Sequence, residues 1–305
     1  MKAPADVALA GHHPVAAPAP QSLVLSSHRA EQGPESEEAG GAEGGGAEVG
    51  GGEVGGGEVG GADSMNSVLG KVRPILEAFT SDDAALSLAE LVRRSGAAKA
   101  TVHRLAQELV SWGLLEREGC DYRLGLRLFE LGQRVHRQRI LREAVQPYME
   151  DLLLITRETI HFAIHDSLDV VYLDKIFPHR GLNAESRVAG RLPLYCTGTG
   201  KAILAYSPPS LFVDVVRGGL KPITRHTVIS PGRLRAQLDR IREEGIVLES
   251  EEIRLGYASL AVPVFAGGTT LVGALSITAP TYRMDATGYA TALRTAALGI
   301  GRSLA

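Results

Sequence analysis

The stretch from Ser67 to Leu124 constrains the fold most, because its apolar spacing switches from helical to alternating and glycines punctuate it. Val68, Leu69, Val72, Ile75, Leu76 and Phe79 recur at helical spacing, with Pro74 placed to kink or loosen that helix. Ser87, followed three residues later by Glu90, is a capping-box signature for a second helix, which Gly96 stops. A third helix is expected over about residues 98–112, with Val102, Leu105, Leu109 and Val110 inward, before Gly113. Two short alternating segments, 114–117 and 121–124, flank Glu118-Gly119-Cys120 and predict a β-hairpin. Three helices with a tight turn before the last, then a hairpin, make a winged helix-turn-helix, whose third helix enters the major groove of double-stranded DNA.

On the third helix Lys99, Thr101, His103 and Arg104 lie away from the apolar stripe, with chemistry suited to phosphates and base edges. Ser87 and Ala100, near the starts of the second and third helices, join the candidate DNA-facing set. Arg117 and Arg123 flank the hairpin turn, where they can reach backbone or minor groove. The alternatives are a solvated helix face and arginines held in local salt bridges. The net charge of −3 does not contradict DNA binding, since the acidic excess is concentrated before residue 65. Arg127, Arg134, Arg137, Arg139 and Arg142 then cluster in mid-chain, with only Glu130 opposing them before Glu143, and read equally as a solvated face or as phosphate contacts.

Residues 1–64 run from an Ala/Pro-rich start into a Glu-Val-Gly-Gly-Gly repeat. They have too little apolar surface to offset the roughly 1–2 kcal/mol per residue lost on ordering, so they are expected to be disordered, with Met65 a plausible start. The expected division is therefore a tail over 1–64, the winged helix-turn-helix over 65–125, a connecting helix over 126–141, and a further domain over 142–305. That domain alternates strands (around 160–166, 170–176, 258–265 and 271–278) with helices (around 200–206, 231–244 and 285–303), an α+β pattern with an antiparallel sheet. No apolar run reaches membrane-spanning length and no secretory signal opens the chain, so a cytoplasmic protein with no membrane partner is expected. Cys120 and Cys196 are isolated and are expected to be ordinary buried or half-buried thiols.

The glycine-rich run Thr197-Gly198-Thr199-Gly200-Lys201-Ala202 resembles a phosphate loop, but Tyr195 and Ala202 occupy the positions where that loop needs glycine and a hydroxyl. Glycines opening a helix can still offer backbone N–H groups to a carboxylate, or simply allow close packing on a sheet. His161 and His165 sit about 13 Å apart along one strand, too far to share an ion, so no metal is expected. No hydrolase signature is present, and neither a catalytic residue nor a cofactor is predicted. Glu249 precedes Gly256 and Ser259, while Ser276 and Thr278 alternate along a strand and face one side. Few polar groups in an apolar setting suit a small-molecule site; surface hydroxyls on an amphipathic strand are the competing account.

With these residues laid out, the chain resembles the IclR family of transcriptional regulators over about residues 66–305. The resemblance rests on Ile75-Leu76-Glu77-Ala78-Phe79, Leu86-Ser87-Leu88-Ala89-Glu90-Leu91, Lys99-Ala100-Thr101-Val102-His103-Arg104-Leu105, Leu114-Leu115-Glu116-Arg117, Arg191-Leu192-Pro193-Leu194 and Gly200-Lys201-Ala202-Ile203-Leu204-Ala205, with further stretches between. It implies a GAF-like effector-binding domain, a homodimer or dimer of dimers, palindromic operators, and small carboxylate or aromatic effectors. It also implies effector contacts at Gly198, Thr199, Glu249, Ser259, Ser276 and Thr278. The chain departs from the pattern at Ala100 (usually serine), Glu249 (more often aspartate) and Ser259 (frequently cysteine). Repressor and activator roles are equally compatible. A catabolic enzyme for small acids, or a sensor that does not touch DNA, are the rival functions.

Overall fold

The computed structural model of the chain describes residues 67–178 and 187–305. The expectation of disorder for residues 1–64 falls outside them.

Helix α1 (Val68–Glu77) starts where the Ser67 hydroxyl accepts a 2.9 Å hydrogen bond from the Gly70 amide, and it runs through Pro74. In α2 (Leu88–Ser95) Ser87 caps as expected, accepting from the Glu90 amide at 3.2 Å. The reciprocal half of the capping box is replaced, because the Glu90 carboxylate turns to Arg93 and Arg94. Gly96 then adopts φ +67°, a left-handed turn that glycine takes without Cβ strain. Helix α3 (Lys99–Ser111) buries Val102, Leu105, Ala106 and Leu109 against Ile75 and Leu91. The hairpin pairs β1 (Leu115–Glu118) with β2 (Asp121–Leu124) about a tight turn in which Gly119 takes φ +63°. Reciprocal bonds between Leu86 and Tyr122 (2.7 and 2.8 Å) tie the hairpin back to the start of α2. Cys120 sits exposed at the tip of that turn, contrary to the expectation of a sheltered thiol, since a two-residue loop offers nothing to bury it.

One connecting helix was expected after Gly125; there are two, α4 (Leu126–Gln133) and α5 (His136–Thr156). The amides of Arg134 and Val135 bond back three residues, to Leu131 and Gly132, and Val135 turns extended, so the α ladder ends before α5 begins.

The six-stranded sheet has the order β5-β4-β3-β8-β7-β6 and is antiparallel throughout. Its strands are β3 (Thr159–Asp166), β4 (Asp169–Ile176), β5 (Arg191–Pro193), β6 (Val247–Ser250), β7 (Tyr257–Ala266) and β8 (Thr270–Pro280). The remaining helices are α6 (Gly198–Ala205), α7 (Pro209–Gly218), α8 (Pro231–Glu244) and α9 (Ala286–Ser303). Alternation splits the sheet's side chains between two cores. Leu260, Val262, Leu275 and Ile277 pack with Leu141, Val145 and Met149 of α5 and Leu293 and Ile300 of α9. Ala163, Ala261 and Ala274 meet α6 on the other face, with α8 packed on α6 beyond it, and their small size lets α6 lie close enough that all eight of its residues are buried. The architecture is thus a winged helix-turn-helix followed by an α+β unit with an antiparallel sheet. Elements β5, α7 and β6 carry too few periodic residues for sequence patterning to mark them.

Candidate functional site

Two sites emerge, one on each part of the chain. On α3 the polar and apolar faces separate as predicted: Lys99, Ala100, His103 and Arg104 are exposed, Thr101 is half-buried, and Val102 and Leu105 are fully buried. The helix starts from Ala98 with no side-chain cap, leaving its first amides open at the end expected to enter the groove. The Ser87 hydroxyl, by contrast, is occupied as the α2 cap. Two of the predicted cations already have acidic neighbours: Arg104 lies 2.5 Å from Glu108, and Arg123 lies 2.8 Å from Glu116 and 3.7 Å from Glu118. Arg117 stacks over the Tyr122 ring at 5.0 Å and reaches its hydroxyl at 3.3 Å.

The second site follows from strand register. On the face toward α6, pairing places Glu249 (β6) beside Ser259 (β7), Ser259 beside Thr278 (β8), and Thr278 beside Thr159 (β3). One row along, Ser276 lies between Ala261 and His161. These rows border a small cavity of about 50 Å³ that opens to solvent, lined by His161, Tyr172, Thr197, Glu249, Ser259 and Thr278 among others. Ser259 and Thr278 share a 2.8 Å hydroxyl hydrogen bond, and the His161 imidazole meets Thr278 at 3.4 Å and tilts against Tyr172 at 5.0 Å. Glu249, Ser259 and Thr278 therefore stand together in the pocket wall, while Ser276, buried one row away, and Gly198 and Thr199, buried at the start of α6, do not line it.

Helix α6 closes the site. The Thr197 hydroxyl accepts from the Gly200 amide at 3.0 Å, so the first-turn amides of Gly198 and Thr199 are those with no acceptor in the helix. A Cβ at Gly198 would lie 3.3 Å from Ser259, so this glycine also permits the close helix-on-sheet packing weighed against ligand binding. The Thr199 hydroxyl is buried near the Tyr172 phenol, without a hydrogen bond of good geometry.

The surroundings tune these groups strongly. Burial, reinforced by the Lys175 charge, drives the His161 imidazole down to about 3, so it is neutral at pH 7. Burial pushes the Tyr172 phenol up to about 12. Burial, together with the nearby Glu252 charge, raises the Glu249 carboxyl to about 7 against the pull of amide bonds and Lys201. The Lys201 ammonium is almost wholly buried and paired with Glu252, whose other oxygen accepts from the Val228 amide at 3.1 Å. The lysine that made this run resemble a phosphate loop thus ties α6 to the segment after β6.

Sequence reasoning gave no site role to Tyr172, Glu252 or Arg254, weighed Lys201 only as a phosphate-loop lysine, and weighed His161 only as a metal ligand, a reading it set aside. The alternation around Ile160, Phe162 and Ile164 puts His161 on the opposite face, which was the available signal. Among the described residues no group of three metal-ligating side chains occurs, and no helix is long and apolar enough to cross a membrane.

Comparison with known proteins bears on both sites. Residues 69–119 match the family model for the IclR helix-turn-helix domain, and residues 133–302 match that for the bacterial transcriptional regulator IclR C-terminal region. The chain is 35% identical over 244 residues to the HTH-type transcriptional regulator KdgR of Dickeya chrysanthemi, covering 78% of this chain and 79% of that protein. It is 30% identical to XynR of Escherichia coli, covering 75% and 94%. Among solved structures, an IclR homolog from Microbacterium hydrocarbonoxydans complexed with 4-hydroxybenzoate superposes with a TM-score of 0.74 at 31% identity, covering 78% of this chain and 99% of that one. The Thermotoga maritima IclR superposes at 0.66 with 26% identity, covering 79% and 99%.

Proposed function

The chain belongs to the IclR family of bacterial transcriptional regulators, whose members bind DNA and are not enzymes, and from that premise we propose that a small carboxylate or aromatic acid controls its grip on an operator. The observation that carries this reading is the polar row Glu249, Ser259 and Thr278 lining one pocket together with Thr197, the residue that caps α6. The amides of Gly198 and Thr199 would receive the effector's carboxylate, and the row its other polar groups. Ser276 would shape the wall beside His161 rather than touch the ligand.

In this reading residues 65–125 bind DNA, 126–141 connect, and 142–305 sense. Lys99, Thr101, His103 and Arg104 enter the major groove, Ala100 lies against it without a hydroxyl, the wing brings Arg117 and Arg123 to the backbone, and Ser87 holds α2 in place. A homodimer on a palindromic operator, or a dimer of dimers, is supported by exposed apolar side chains on α1 and α4, among them Leu69, Leu126 and Phe129. Ligand binding would act by favouring one arrangement of the paired DNA-binding parts. The site of action would be the cytoplasm.

A gel shift with the gene's own upstream region tests the DNA half; absence of sequence-specific binding at physiological salt would overturn it. Thermal shift with 4-hydroxybenzoate and other small acids tests the sensing half. A ligand at 100 times its Kd stabilises by about 2.7 kcal/mol.

A further inference from the structure

Glu249 sits in the pocket without a cation of its own among the pairs that hold the site together. Its Oε1 accepts the Glu252 amide at 2.6 Å, while the nearby Lys201 ammonium is bound to the Glu252 carboxylate instead. The groups around it come from every packed element: His161 of β3, held neutral; Tyr172 of β4, held as the phenol; Ser259 of β7 and Thr278 of β8; the buried Cys196 thiol and Lys201 on and before α6; and Glu252 and Arg254 on the segment after β6. That segment is set by Glu251, which holds a left-handed φ of +60° and keeps Glu252 turned inward. Arg254 lies over the Tyr257 ring at 4.4 Å, where the pocket lining begins.

A pocket this confined places any carboxylate it admits within a few ångströms of Glu249. Two carboxylates sharing a desolvated site do not both stay ionised; one takes a proton that the pair then shares. Resting on the effector-pocket reading above, we propose that the pocket binds an anionic effector together with one proton, which Glu249 receives, so that its carboxylic acid donates a hydrogen bond to the anion. The Lys201–Glu252 pair is the positioning element, since it occupies the buried Lys201 ammonium that would otherwise keep Glu249 ionised. The free acid already titrates near neutrality, so the uptake falls in the physiological range.

The consequence is a pH-linked affinity. Below the titration midpoint of free Glu249 the affinity for an anion is flat; above it, affinity falls up to tenfold per pH unit, because each binding event must first recruit a proton. A neutral or cationic ligand lacks this dependence.

The test uses the full chain, with 4-hydroxybenzoate and acetate as carboxylate probes. Infrared difference spectra follow the carboxylic-acid carbonyl band that Glu249→Gln removes, titrated from pH 5 to 9 with and without probe. Calorimetry in two buffers of different ionisation enthalpy counts the protons taken up. The expected result is a free midpoint near 7 that moves upward with probe, and an uptake approaching one proton per bound probe above pH 7 that Glu249→Gln, whatever its affinity, does not show per probe bound. A free midpoint at ordinary carboxylate pH, binding without uptake, or uptake that persists in Glu249→Gln would overturn the proposal. Failure of both probes to bind at any pH would also overturn it; a Glu249 band still titrating near 7 would then place the failure in the choice of an anionic effector rather than in the acid.

Discussion

Replacing Lys201 with methionine tests the foundation of the pocket. The lysine side chain is 1% exposed and Glu252 6%, so water cannot take over from either partner. Methionine fills a similar volume but leaves the Glu252 carboxylate with the Val228 amide as its remaining bond in that cluster. Removing one member of a buried pair leaves an uncompensated charge and costs about 3–5 kcal/mol, whereas replacing both members by neutral groups of similar shape is often neutral or stabilising. At about 2–4 °C per kcal/mol for a domain of this size, Lys201→Met should lower the calorimetric Tm by roughly 6–20 °C. The double variant with Glu252→Gln, which keeps an acceptor for Val228, should return close to the parent. A single-variant loss below about 1 kcal/mol, or a double variant as unstable as the single, would refute the argument that charge rather than shape holds α6 to the segment after β6.

Three further outcomes follow from named contacts. Glu249 has a raised folded-state pKa, so the unfolded chain ionises first: between about pH 4.5 and 7 the parent should lose stability with rising pH, and Glu249→Gln should flatten that slope in thermal melts across the range. Gly200→Ala should destabilise by about 1–3 kcal/mol in chemical denaturation, because the added methyl runs into the Leu194 carbonyl and the Thr197 hydroxyl that caps α6. In the DNA-binding part, Arg94 bridges Asp83 and Glu90 and holds the Asp83 carboxyl well below the usual range, while Arg93 first and Arg94 second lower Glu90 to about 2. Their stabilisation is present above the unfolded carboxylate pKa and lost as pH falls toward 2, so Arg94→Ala, which frees Asp83 but leaves Glu90 with Arg93, should reduce the acid sensitivity of the unfolding seen by Trp112 fluorescence.

Legibility in the sequence tracked how local each determinant is. Ser87, Gly96 and Gly119 act within a few residues of themselves, so the helix, turn and hairpin could be read directly. The pocket depends on partners far apart in the chain. Lys201 and Glu252 are separated by 51 positions, and the row from Glu249 to Thr159 joins four strands whose order no local pattern fixes. The period-2 rule did place Ser276 and Thr278 on one face, yet it could not tell which of them reaches open space. The register shift between Phe162 and Ala163 against β4 lies beyond such patterning too, and it decides where Tyr172 stands relative to His161. The break between α4 and α5 was missed because arginines and leucines on both sides of Val135 suit a continuous helix.

If the exposed face of α3 meets DNA as proposed, its acidic partners set the salt dependence of binding. An exposed pair such as Arg104–Glu108 contributes about 0–1 kcal/mol, so a phosphate readily displaces the glutamate from the guanidinium. The glutamate then remains on the same helix face, close to the duplex, and cancels part of the counterion release that the arginine would give. Each phosphate neutralised steepens the dependence of log K on log salt by about 0.9. Glu108→Gln should therefore tighten operator binding and steepen that slope by up to about 0.9 for each α3 engaged, whereas Arg104→Ala should weaken binding by about 1–3 kcal/mol if it reads a base. Gel shifts or fluorescence anisotropy from 50 to 200 mM salt separate the two. If Glu108→Gln leaves both affinity and slope unchanged, Arg104 does not face phosphate in the complex.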